Sequence, residues 1–231
     1  MITRVDYAIR FPFGAEFNKN PKFHFIQSIY RGIKTHACLG DTQCESCFFT
    51  DSCVYFYISG QEFTQYPAIL VNMNCLEKTK YKRNDVLDIS FFLIGDASLY
   101  IEFIDGFFKS CNNLFGVYFQ KTRKGEIKCD EKNLYEGKLT VINPFNINEN
   151  INEMLEYYNI QYKADFSPNL EINELETIRS NDRRVYLING KRFKLSGHIG
   201  SFHVRNYPLV LLDMGIGRNN VLGGGRAIRC E

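Results

Sequence analysis

The run Gly215-Ile216-Gly217-Arg218-Asn219-Asn220-Val221-Leu222-Gly223-Gly224-Gly225-Arg226 sets five glycines and two arginines in twelve residues. A stretch this rich in Gly can bring backbone N–H groups close to an anion, and arginines add charge. The Walker pattern needs Gly-Lys-Ser/Thr with a helix behind it, and the dinucleotide pattern must open a helix inside a βαβ unit. The five residues that follow Arg226 hold neither. A nucleotide cofactor is excluded on this pattern, which leaves a structural loop or one that grips a phosphate backbone.

Cys38, Cys44, Cys47 and Cys53 are spaced C-x5-C-x2-C-x5-C. Four thiolates at such spacing can close a tetrahedral zinc site, with Gly40 and Asp41 supplying a turn and His36 able to replace one thiolate. Structural zinc is the expected cofactor; an iron–sulfur cluster and unligated or disulfide-linked cysteines are the alternatives. Cys75, Cys111, Cys129 and Cys230 are scattered and read as small core residues.

Histidine chemistry is placed by helical periodicity. Residues 22–34 carry Phe23, Ile26, Ile29, Tyr30 and Ile33 on one stripe. At about 100° per residue, His24, Ser28 and Arg31 share the opposite, exposed face. His24 there could act as general acid or base for attack of an RNA 2′-OH on its own phosphate, with Arg31 offsetting the developing charge. An ordinary wet helix face is the competing reading. His36 is a second candidate. His198 and His203 lie in or beside a hairpin strand, where RNA contact and plain surface both stay open.

Charge divides the chain. From Arg183 onward nine Lys/Arg stand against Asp213 and Glu231, a balance of +7 in a chain of formal net charge +2. A concentrated basic end fits a polyanionic partner. Residues 149–182 hold eight Asp/Glu against Lys163 and Arg179, a solvated acidic surface that would repel RNA. No apolar run approaches the roughly 18 residues of a membrane helix and no signal peptide is visible, so a cytoplasmic protein is expected.

The 231 residues, 45% hydrophobic, suffice for one large or two small cores. Val5, Tyr7, Ile9 and Phe11 alternate as a strand. The helix at 22–34 follows, then a strand at 54–58 or 68–73, another at 86–94, a helix over 98–114 and a strand over 115–122. The second half gives a strand at 138–143, helical pieces at 151–158 and 170–179, and a hairpin over 185–195 turning at Asn189-Gly190. A short helix begins at Pro208, and a final strand covers 227–230. Both halves read β-α-β-β-α-β, so the fold class is α+β: tandem ferredoxin-like domains over 1–125 and 134–231, with the glycine-rich loop before the last strand.

The run Leu195-Ser196-Gly197-His198-Ile199-Gly200-Ser201, followed by Pro208–Asp213 and the loop above, resembles the glycine-rich end of the CRISPR repeat-associated (RAMP) proteins. It looks most like the branch that processes precursor CRISPR RNA. Cys53-Val54-Tyr55, Tyr66-Pro67-Ala68-Ile69-Leu70-Val71 and Phe92-Leu93-Ile94-Gly95-Asp96-Ala97 look like a cysteine-containing subgroup. The resemblance implies tandem ferredoxin-like domains that hold CRISPR RNA across both halves. It also implies metal-independent cleavage leaving a 2′,3′-cyclic phosphate. The RNA contacts expected are Gly215, Gly217, Arg218, Asn219, Asn220, Gly223, Gly224, Gly225 and Arg226, with Lys191 and Arg192 on the hairpin. Some relatives bind the processed RNA end without cutting it, so a non-catalytic subunit beside other CRISPR effector subunits is the alternative. A zinc-stapled protein-interaction module is a third.

Overall fold

The computed structural model describes every residue except 19, 39–43, 73–77, 177, 189–190 and 231; the side chains at 45, 62, 174–175, 181–188 and 191–194 also lie outside the described set. The Gly40-Asp41 turn, Cys75 and the Asn189-Gly190 turn fall there.

The first half begins with β1 (Ile2–Phe11) and the short β2 (Ala15–Glu16), then α1 (Pro21–Ala37). Asn20 caps α1 by accepting the Lys22 N–H at 2.9 Å, and Pro21 sits in the first turn, where no N–H is needed. Next come α2 (Val54–Ile58), α3 (Gly60–Phe63), β3 (Ile69–Val71), β4 (Lys80–Tyr81) and β5 (Asp85–Ile94). A 3-10 turn over Gly95–Tyr100 leads into α4 (Ile101–Ser110), then β6 (Asn113–Leu114), β7 (Val117–Tyr118) and β8 (Gln120–Cys129). The sheet runs β3-β5-β1-β8, all antiparallel. α1 and α4 bury one face of it: Tyr7 stacks on Phe108 at 4.1 Å between centroids, and Phe25 lies 5.6 Å from Phe108.

The second half has β9 (Leu134–Phe145), α5 (Ile151–Tyr162), β10 (Glu171–Leu175), β11 (Arg179–Ile188), β12 (Lys191–Pro208), α6 (Leu211–Met214) and β13 (Ala227–Arg229). Its sheet runs β10-β12-β9-β13, with β11 also paired to β12. In each sheet the half's first strand lies between its last strand and the strand before its last helix. Met154, Leu155 and Tyr158 of α5 are fully buried, and α5 packs on the Gly95–Tyr100 turn of the first half. The protein is therefore α+β with antiparallel sheets.

Tyrosines join the halves. Tyr162 donates its hydroxyl to the Tyr57 and Tyr66 carbonyls at 3.0 and 2.9 Å, and Tyr57 donates to the Gln161 carbonyl at 2.7 Å. Gly95 passes so close to the Tyr162 carbonyl that an added Cβ would overlap it.

Three sequence expectations are corrected. Residues 54–58 are helix, not strand: Tyr55 and Ile58, three apart, are buried beside α1, and packing overrides the β propensity of Val-Tyr-Phe-Tyr-Ile. Residues 171–175 are strand, not helix, because the edge of β12 takes them, with Ile172 opposite Val204. The strand expected over 115–122 is broken by a turn at Phe115 and Gly116, both at positive φ, and β8 runs on to Cys129.

Candidate nucleic-acid interface

The glycine-rich loop is folded against its own protein. Gly215, Ile216 and Gly217 are buried, and so is every residue from Asn220 to Ala227. Its N–H groups are spent internally. Ile216 donates to the Gly225 carbonyl (3.3 Å), Gly224 to Asn219 (2.9 Å), Gly225 to Pro144 (3.2 Å) and Gly223 to Asn220 (2.8 Å). Gly225 requires its type: φ is +63°, and a Cβ there would overlap the Ile216 carbonyl oxygen.

Its side chains divide. Arg226, 7% exposed, is a clamp. One guanidinium nitrogen reaches Asn72 Oδ1 (3.0 Å) and the Asp213 carbonyl (3.1 Å), and the other reaches Asp213 Oδ1 (2.9 Å). Asn72 Nδ2 completes the ring by donating to Asp213 Oδ1 at 3.1 Å. Asn72 follows β3 of the first sheet, so this network ties the loop across the junction of the halves. Asn220 is fully buried and donates to the Tyr158 hydroxyl at 2.7 Å. Both residues, expected to face RNA, face the interior instead. The physical reason is that the guanidinium and the amide pair with polar groups that packing removes wholly or partly from water, Asn72 and Asp213 for Arg226 and Tyr158 for Asn220.

Arg218 is the loop's outward cation: its side chain is 60% exposed. Its backbone N–H donates to Glu149 Oε2 at 3.0 Å, and its Nε lies 3.9 Å from Glu149 Oε1. Burial raises the Glu149 pKa, against the pull of Arg218. Asn219 beside it is partly exposed.

β11 and β12 extend the basic end. β12 pairs with β9 only from His198 to Pro208, whereas β11 pairs with β12 from Lys191 to Ile199. Residues 191–197 and their partners 181–188 thus form a two-stranded ribbon that outruns the sheet. Lys191 and Arg192 open its second strand; their side chains lie outside the described set. On this sheet a groove of about 720 Å3 is lined by Thr140, Ile142, Glu176, Arg179, Ile199 and Ser201. Nearby, Glu176 pairs with Lys138 and lies 3.6 Å from His203 Nε2.

His24 is not where periodicity put it. His24 is 4% exposed, with Nε2 3.0 Å from Asn18 Oδ1 and its ring 4.2 Å from Phe115 and 5.8 Å from Phe17. The residues after β2 and the β6–β7 turn roof the face that the helical stripe leaves outside. Ser28 is half-buried and Arg31 is exposed, so the three do not share an open face. His36 is exposed and lines a groove of about 490 Å3 between α1 and α4 with Gly32, Phe103, Gly106, Phe107 and Ser110. Tyr30 is structural: its hydroxyl donates to the Ile69 carbonyl at 2.7 Å and its complete burial raises its pKa well above the usual value.

Cys44 is buried, and Cys38, Cys47 and Cys53 are half-buried. Four thiols fit zinc by donor chemistry, but among the described residues no three His, Cys, Asp or Glu side chains are placed to hold a metal ion. Glu149, Asn72, Asp213 and Tyr158 were missed from the sequence. Asp213, a lone carboxylate inside Pro208–Met214, was the available signal.

Among the described residues no helix is long and apolar enough to cross a membrane. No protein-family model and no curated protein matches the chain. Solved structures do. One described as CRISPR associated protein Cas6 is 13% identical with a TM-score of 0.53, covering 100% of both chains. A Cas6 product complex is 9% identical with a TM-score of 0.53, covering 97% of this chain and 98% of that one. A Cas6-related protein from Pyrococcus furiosus is 12% identical with a TM-score of 0.52, covering 100% and 99%. The α+β fold of this chain, over its whole length, is the fold of these Cas6 structures.

Proposed function

We propose that the chain is a CRISPR RNA-binding protein of the RAMP type, built from two ferredoxin-like units, that cleaves precursor CRISPR RNA in the repeat. The whole-length likeness to Cas6 structures carries the reading. The strand order common to both sheets supports the two units. The basic ribbon and the exposed Arg218 support contact with an RNA backbone, since clustered cations are the electrostatic footprint of a phosphate-binding surface.

Cleavage would follow attack of a 2′-OH on its neighbouring phosphate. The 5′-oxygen leaves with a proton and a 2′,3′-cyclic phosphate remains. This chemistry needs an acid or base within reach of the RNA and a cation for the developing charge. On α1, His36 and Arg31 are exposed and available for these roles. His24 serves only if its roof of Asn18 and Phe115 opens. Structural zinc on Cys38, Cys44, Cys47 and Cys53 stays in the reading on donor chemistry alone.

The burial of His24 favours a second reading: a subunit that grips one end of the guide RNA without cutting it. Labelled repeat RNA incubated with the protein and EDTA separates the two. Cleavage that falls at least tenfold in His36→Ala or His24→Ala supports the endonuclease. Tight binding with no cleavage favours the gripping subunit, and no RNA binding overturns both.

A further inference from the structure

Most N–H donors of the glycine-rich loop point inward, but one corner of it already holds an anion. At Gly217-Arg218 the Glu149 carboxylate accepts the Arg218 N–H at 3.0 Å. It presses so closely on Gly217 that a Cβ there would overlap Oε2. Its side chain is 16% exposed, whereas Arg218 beside it is 60% exposed. Glu149 also immediately precedes Asn150, whose Oδ1 caps the twelve-residue α5 through the Asn152 N–H at 3.1 Å. A backbone N–H, a glycine that lets oxygen approach and an outward guanidinium 3.9 Å away surround a carboxylate of charge −1. A phosphodiester also presents two oxygens and the same charge.

We infer that the Gly217-Arg218 corner is a binding subsite for one phosphate group of the RNA backbone, and that Glu149 occupies it until RNA displaces it. The inference rests on the RNA-binding reading above. The exchange is balanced. Glu149 returns to water, which restores the hydration that burial removes from its charged form. The Arg218 guanidinium loses little from parting with Glu149, because its Nε is 3.9 Å from Glu149 Oε1, beyond hydrogen-bond distance. With phosphate its planar fork can bond through two N–H groups at once. The group that must swing out is one glutamate side chain.

The test measures affinity for a labelled repeat RNA at about 50 mM salt. Glu149→Gln keeps an oxygen for the Arg218 N–H and removes the competing charge, so it should fold as the parent does, checked by circular dichroism. Glu153→Gln, one turn along α5 on an exposed residue whose Oε1 accepts the Asn150 amide, makes the same change in net charge. Glu149→Gln should bind RNA about tenfold tighter, and Glu153→Gln within about twofold of the parent. In an Arg218→Ala background the Glu149→Gln gain should vanish. Equal gains from both glutamates, or no gain from Glu149→Gln, overturn the subsite while leaving RNA binding intact. Inorganic phosphate in a thermal-shift assay separates the sources. If it stabilises Glu149→Gln strongly while RNA affinity is unchanged, the corner binds free phosphate and the RNA assignment falls. Absence of RNA binding by every variant overturns the functional reading and the subsite together.

Discussion

Replacing Arg226 by Ala should unfold the protein more readily without stripping it of RNA binding. Arg226 makes three hydrogen bonds at 2.9–3.1 Å to Asn72 and Asp213, and its side chain is 9% exposed. Removing one member of a buried ion pair costs about 3–5 kcal/mol, because the partner is left charged and unpaired. Asp213 is 36% exposed, so water takes over part of its solvation. That brings the expected loss to about 3 kcal/mol, or about 6–12 °C in Tm for a chain of this size. Urea denaturation followed by far-ultraviolet circular dichroism measures it; the chain has no Trp to report. Arg226→Ala with Asp213→Ala should cost less than the sum of the singles by about 1–2 kcal/mol, since each single removes the same contacts. At a temperature where the variant remains folded, its RNA affinity should stay within about threefold of the parent's. Unchanged stability together with a large loss of RNA affinity would refute the clamp and return Arg226 to the phosphate-contact role.

Gly225→Ala should cost about 3–4 kcal/mol, read in the same urea assay, from the positive φ and the overlap with Ile216. Glu149 has a raised pKa in the folded chain, so the native state holds its proton more tightly than the unfolded state does. Its contribution to stability is therefore greatest at low pH and is lost as pH rises through its folded pKa. Urea midpoints from about pH 4 to pH 7 should show the parent losing stability relative to Glu149→Gln; parallel curves would sink the assignment. Elemental analysis of purified protein should find about one zinc per chain, lowered by Cys44→Ser and Cys47→Ser; a stable, metal-free protein would dispose of the zinc.

The strands and helices with strong periodicity were legible. Val5, Tyr7, Ile9 and Phe11 are buried as their alternation requires, and Ile29, Tyr30 and Ile33 hold the inner face of α1. What failed had a common cause: the deciding partner is remote in sequence. His24 is on the outer face of an isolated helix, but Phe115, about ninety residues away, covers it. Arg226 reads as a phosphate ligand beside five glycines, and Asn72 on the other sheet claims it. Val54–Ile58 has strand composition, yet its Tyr55 and Ile58 find α1. Residues 171–175 alternate too weakly to announce a strand until the edge of β12 is in place. The pairing of β11 with β12 was legible, because a hairpin is a local signal; the Asn189-Gly190 turn that suggested it lies outside the described residues.

The most direct test of the account is the affinity of the purified protein for a repeat RNA as a function of salt. A basic ribbon and an exposed loop arginine gripping a phosphate backbone predict binding at about 50 mM salt that weakens roughly a thousandfold by about 200 mM, with Arg218→Ala weaker throughout. No binding at the lower salt, or an affinity indifferent to salt and to Arg218, would contradict it.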